Sequence, residues 1–208
     1  MDIEKIREVI GNVEGFFYEN EAILLANWAQ HVPDVIVELG TYRGRSAIIL
    51  ALASPATTRI YCVDAHIKTD GDPYPFGDED RAAFLKNLVN FGVAGKVHPI
   101  DLNSHDAWKA WTEPITMLWI DAGHSCADVK EDIEGWLPFV RADGLVAFHD
   151  VSAPQIMQAI NEYPELEFLD AADHTRIYAR RVSKTLPLPE IEALPVPEKP
   201  KTKTKAKK

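Results

Sequence analysis

Apolar residues recur along this chain in two rhythms. Short runs at residues 34–39 (DVIVEL), 58–65 (TRIYCVDA), 96–101 (KVHPID), 115–121 (ITMLWID) and 144–150 (GLVAFHD) are nearly all apolar until an acidic residue closes them. Runs of that length predict buried strands. Between them, apolar residues return at helical spacing in residues 44–54, 79–93, 104–112, 125–140 and 153–163, and residues 15–32 form an amphipathic helix ahead of the first strand. Pro55 stops one helix, Gly92 lies near the end of another, and Pro154 sits in the first turn of a third. Residues 166–172 and 174–181 read as two strands joined by a short turn.

Helices separate consecutive strands until that last pair, which predicts parallel pairing with right-handed crossovers. The expected fold is α/β: a Rossmann-like, doubly wound, mostly parallel seven-stranded sheet with an antiparallel C-terminal hairpin at one edge. One domain is expected over residues 1–183. Residues 184–208 are rich in Pro and then Lys, cannot build a core, and are expected to form a flexible tail.

Charge narrows the partners. The formal net charge is −10, yet the last ten residues hold six lysines; the remainder sets 16 basic residues against 32 acidic ones, or −16. Such a body repels nucleic acid and anionic membrane, so neither is expected as a partner. Self-association is left open. The N-terminus shows no basic start leading into an apolar signal core, and a cytoplasmic location is expected. Cys62 and Cys126 stand apart and read as reduced structural residues.

The chemistry gathers where strands end. In open α/β sheets ligands bind at the carboxyl ends of strands, near the point where strand order reverses. The first strand runs into LGTYRGRS, where Gly40 and Gly44 would let backbone approach a ligand closely. Asp64 ends the second strand, 24 positions after Gly40, where an acid can accept from both ribose hydroxyls. The glycine pattern that cradles a pyrophosphate is missing, which favours a nucleoside without phosphates. Asp121 and Asp150 end the fourth and fifth strands, with His124 and His149 close by in sequence. Two acids and two histidines at adjacent strand ends are poor core material.

VELGTYRGRS followed by VDAH resembles the cofactor site of class I S-adenosylmethionine-dependent methyltransferases, and the Y-x-G-x-S part is similar to catechol O-methyltransferase. IDAGHSCADVKEDIEGWLPFVRADGLVAFHDV resembles a small-molecule O-methyltransferase-like family that includes macrolide-sugar O-methyltransferases and proteins labelled cephalosporin hydroxylase. The likeness covers roughly residues 15–180. It implies that Glu38, Gly40, Tyr42 and Gly44 line the methionine and ribose side, and that Ser46 holds the methionine carboxylate. It further implies that Asp64 binds ribose and that Asp101, Ser104 and His105 lie at the adenine. Asp121, His149 and Asp150 match metal ligands, and His124 matches the position of the general base in catechol O-methyltransferase, where a different base stands. His149 departs from the oxygen ligand of the catechol-type pattern. Hard Mg²⁺ prefers oxygen, so an imidazole favours Mn²⁺, and metal independence stays open.

The implied reaction is methylation of a hydroxyl on a small molecule, with S-adenosylmethionine as cofactor and Asp121 and His124 in the catalytic roles. Residues 66–80, with Tyr74 and Phe76, suit a lid over the rim. Two alternatives stay open: a nucleotide-dependent oxidoreductase, which would bind NAD, and a noncatalytic protein that keeps the cofactor pocket.

Overall fold

A computed structural model describes residues 1–67 and 76–181. Its strands are β1 (Val35–Leu39), β2 (Arg59–Val63), β3 (Val97–Ile100), β4 (Ile115–Ile120), β5 (Val140–Phe148), β6 (Leu166–Ala172) and β7 (Thr175–Arg180). Its helices are α1 (Ile3–Asn12), α2 (Glu19–Ala29), α3 (Arg45–Ala53), α4 (Asp78–Asn90), α5 (Ser104–Ala107), α6 (Cys126–Trp136) and α7 (Pro154–Ile160). The strands form one sheet in the order β3-β2-β1-β4-β5-β7-β6. All pairings from β3 through β5 are parallel, and β7 runs antiparallel to both β5 and β6. The Rossmann-like sheet with its edge hairpin is therefore as the strand–helix alternation predicts, with β7 inserted between β5 and the outermost β6.

Both faces of the sheet are covered, which is why the strands read as unbroken apolar runs. Side chains alternate across β1: Val35, Val37 and Leu39 join a core with Trp136, Ile133 and Ile160, while Ile36 joins a second core with Leu25, Ile48 and Phe84. Glu38 follows Ile36 onto that second face, beneath α3.

Two elements differ from expectation. α1 is a helix of its own, capped by Asp2, whose carboxylate accepts from Lys5 N at 2.8 Å, and α2 begins only at Glu19. The turn between α1 and α2 is clamped by Arg45, which donates to the carbonyls of Val13 (2.7 Å), Phe17 (2.8 Å) and Ile10 (3.3 Å). β5 starts at Val140 rather than at 144, because a register shift against β4 absorbs the turn-like ADG. Asp143 there adopts a left-handed φ of 59°. Part of the predicted lid and the whole predicted tail lie outside the described residues. No described helix is long and apolar enough to cross a membrane.

Candidate active site

The strand order reverses between β1 and β4, so the crevice that can take a ligand opens above their carboxyl ends. Backbone hydrogen bonds carry the sheet one residue past its strands there. Asp64 N donates to Ile100 O (3.1 Å), Gly40 N to Val63 O (2.9 Å), Asp121 N to Leu39 O (2.9 Å) and His149 N to Ile120 O (3.1 Å). Four residues singled out by the sequence thus stand in one row along the rim.

The glycines of the first turn are required by the packing of the turn itself. Gly40 has φ +80°, and a Cβ there would lie 2.1 Å from the carbonyl oxygen of Asp121. Gly44 has φ +86°, and its Cβ would lie 2.6 Å from the Phe84 ring. The protein's own packing therefore requires glycine at both positions. Asp64 closes the turn from the other side. Its Oδ2 accepts from Thr41 N (2.8 Å) and Tyr42 N (2.9 Å), and its Oδ1 from His66 N (2.8 Å). Tyr42, at φ 49°, sets its ring between Phe16 (centroids 5.8 Å apart) and Phe76 (5.2 Å).

Glu38 is wholly buried and accepts from Thr41 Oγ1 (3.3 Å), Cys62 Sγ (3.0 Å) and the hydroxyl of Ser46. Burial pushes its carboxyl up to about 7 against the pull of those donors, and burial together with Glu38 raises the Cys62 thiol well above its ordinary value. Ser46, expected at the methionine carboxylate, therefore points its hydroxyl inward to Glu38.

The expected adenine side divides. Asp101 pairs with Arg81 at 2.6 Å on the surface. Ser104 is buried at the start of α5, where its carbonyl accepts from Trp136 Nε1 at 3.1 Å. His105 lies between Glu131 (3.3 Å) and the buried Asp132 (3.4 Å), whose carboxyl is pushed up to about 6 by burial.

At the ends of β4 and β5, ligand atoms of Asp121, His124 and Asp150 all lie within 4.8 Å of one another. His124 Nε2 is 3.1 Å from Asp150 Oδ2. That contact, followed by His149, holds the Asp150 carboxyl well below its usual range, and Asp150 in turn raises His124. His149 is not in this group. Its ring is buried, with Nδ1 3.0 Å from Asp121 Oδ1 and 3.5 Å from Asp150 Oδ2, and Nε2 3.2 Å from Glu21 Oε1. Burial alone would lower its pKa. The charge of Asp121 and the contacts with Asp121, Asp150 and Glu21 outweigh burial and push it up to about 12. His149 spans Glu21 and Asp121, outside the cluster of Asp121, His124 and Asp150 that the structure brings together. Glu21 escaped the sequence reading, although an acid sharing an apolar helix face with Leu25 was its visible signal.

The remaining donors suit the groups the family implies. Asp121 and Asp150 offer two carboxylates to a hard cation, which binds through one or two such groups and keeps several waters. Asp64 accepts three backbone N–H groups, and a carboxylate has about four lone-pair sites, so capacity for a ribose hydroxyl remains. Beside it, His66 Nδ1 is buried without a hydrogen-bond partner, 3.8 Å from Asp64 Oδ1.

Comparison with known proteins agrees with this architecture. A family model described as a methyltransferase domain matches residues 37–151, more than half of the 208 residues. The chain belongs to that family of methyltransferase domains. Similar solved structures include the O-methyltransferase TomG of Streptomyces achromogenes, involved in tomaymycin synthesis and bound to S-adenosylmethionine. It is 16% identical at a TM-score of 0.65, over 86% of this chain and 89% of that one. An O-methyltransferase of Bacillus cereus in complex with S-adenosylhomocysteine is 15% identical, TM-score 0.65, over 85% and 90%. An S-adenosylmethionine-dependent O-methyltransferase of Thermotoga maritima is 15% identical, TM-score 0.66, over 90% and 74%. At such identities these likenesses establish the fold.

Proposed function

We propose that this protein methylates a hydroxyl oxygen of a small molecule, with Asp121 and Asp150 holding a divalent cation and His124 acting as base. The observation that carries the proposal is the convergence of Asp121, His124 and Asp150 beside the cofactor turn. The cofactor supplies the methyl group on a sulfonium, and a bound divalent cation lowers the pKa of a hydroxyl. The chain supplies placement. Asp150 remains ionised because His124 and His149 face it. With Nε2 donating to Asp150, His124 has Nδ1 left to take the acceptor's proton, and Asp150 strengthens it as a base by favouring the protonated ring. The side chain of His124 is 58% exposed, so an acceptor can reach it from solvent. Asp64 orients the ribose and, through Thr41 N and Tyr42 N, the turn under the methionine.

The test is methyl transfer from labelled S-adenosylmethionine to a panel of catechols, phenols and sugar hydroxyls, with Mg²⁺ or Mn²⁺ and with excess chelator. Transfer that needs the metal supports the proposal. Full activity in chelator removes the cation, and transfer to nitrogen acceptors alone removes the hydroxyl chemistry.

A further inference from the structure

We infer that Glu21 is a positioning residue for the rim carboxylates, acting through His149. Glu21 belongs to α2, far in sequence from every strand end of the crevice, yet it is completely buried. A carboxylate is buried at high cost unless charge and hydrogen bonds compensate it. Its Oε2 accepts from Tyr18 N at 3.0 Å, which closes the helix start. A helix cap needs nothing more, and it can be made at the surface. Oε1 does the rest: it accepts from His174 N (3.1 Å) and Thr175 Oγ1 (3.0 Å) in the β6–β7 hairpin and faces His149 Nε2 at 3.2 Å.

The ring of His149 has no freedom to turn. Phe17 and Trp119 pack against it, with centroids 5.9 and 5.8 Å away. Its far nitrogen, Nδ1, meets Asp121 Oδ1 at 3.0 Å and Asp150 Oδ2 at 3.5 Å. A carboxylate oxygen stands beside each ring nitrogen, Glu21 Oε1 near Nε2 without hydrogen-bond alignment, and the two aromatic rings restrict rotation. Glu21 thereby sets the ring, and the ring sets two carboxylates that arrive from different strands. Such outer partners orient the groups that do chemistry. The catalytic meaning of this brace rests on the roles proposed above for Asp121 and Asp150; the brace itself does not.

The experiment compares side-chain ¹⁵N spectra of histidine-labelled, metal-free full-length protein as wild type, Glu21→Gln and Thr175→Val. His124 touches Asp150 and not Glu21, so its ring reports the carboxylate from a distance. The expected result is a shifted His124 ring in Glu21→Gln and a wild-type His124 in Thr175→Val, with S-adenosylhomocysteine binding kept in both. If Glu21→Gln does not fold, Glu21→Asp, which keeps the charge and withdraws the oxygens, should shift His124 likewise. An unmoved His124 in the folded Glu21 variant overturns the inference, as does an equal shift in Thr175→Val. Mn²⁺ titration supplies a second readout: affinity should fall about 10–100-fold in Glu21→Gln. A wild type that binds no Mn²⁺ would sink the proposed cation, and the His124 shift would still decide Glu21.

Discussion

Replacing Glu38 by glutamine should change how stability depends on pH. The carboxyl is buried among Thr41, Ser46 and Cys62, and its pKa rises from an ordinary 4.5 to about 7. In the unfolded chain the group ionises near 4.5; in the folded chain it holds its proton until about 7. Because the folded value is the higher one, the stability it contributes is fully present below the unfolded value and is lost as pH rises through the folded one. Each unit between the two values is worth about 1.4 kcal/mol. The gap from 4.5 to about 7 therefore amounts to about 3 kcal/mol. Glutamine matches the shape and never ionises, and the hydroxyls of Thr41 and Ser46 can turn to accept from its amide.

The assay is urea unfolding of wild type and Glu38→Gln at intervals from about pH 4.5 to 8.5, reading the difference in unfolding free energy. All other titrating groups are common to the two proteins and cancel to first order. The difference should move by about 3 kcal/mol in favour of Glu38→Gln between the ends of that range, with most of the change below about pH 7. A difference that stays flat would show that Glu38 ionises as easily as in water. A change of the opposite sign would mean that Glu38 is stabilised as an anion by a cationic partner.

Three further outcomes follow from the rim. Asp64→Ala removes the acceptor that closes the turn and that we propose takes the ribose, so S-adenosylhomocysteine should bind about 1.5–3 kcal/mol more weakly by calorimetry; unchanged affinity would take Asp64 out of the site. Gly40→Ala drives a Cβ to 2.1 Å from a backbone oxygen at positive φ, and denaturant unfolding should show a loss of roughly 2–5 kcal/mol from strain and overpacking together; wild-type stability would refute the close approach. His124→Ala should lower methyl transfer by about 10²–10⁴-fold, the usual range for a general base, while cofactor binding is kept; undiminished turnover would remove His124 as base.

The alternation of strands and helices, the edge hairpin and the acids at strand ends were legible because each rests on a local signal. An apolar run ending in an acid marks a strand that reaches the crevice, and Asp64, Asp121 and Asp150 all follow that pattern. What escaped was decided by partners far away in sequence. Nothing near Gly40 announces that its missing Cβ makes room for the carbonyl of Asp121, because β1 and β4 become neighbours only through the sheet order. The same holds for His149. As a residue beside Asp150 it looks like a ligand; that its ring also faces Asp121 from the neighbouring strand and Glu21 from α2 is decided only by the fold. Ser46 was misplaced for a related reason, since its orientation follows from where Glu38 points, and that depends on the face of β1 to which Glu38 belongs.

These long-range contacts have a shared consequence: the two sides of the crevice, which the proposed function gives to cofactor and acceptor, cannot move independently. Gly40 packs against the backbone of Asp121, and Asp121 N is tied to Leu39 O, so the β1–α3 turn and the strand end that carries a rim carboxylate are one rigid piece. His149 then joins that carboxylate to Asp150, and Glu21 joins His149 to α2 and to the β6–β7 hairpin. In-line transfer of a methyl group needs donor and acceptor atoms held in register within fractions of an ångström. Close backbone packing and a buried ring flanked by carboxylates provide that register better than flexible surface charges, because neither can relax without displacing a strand end.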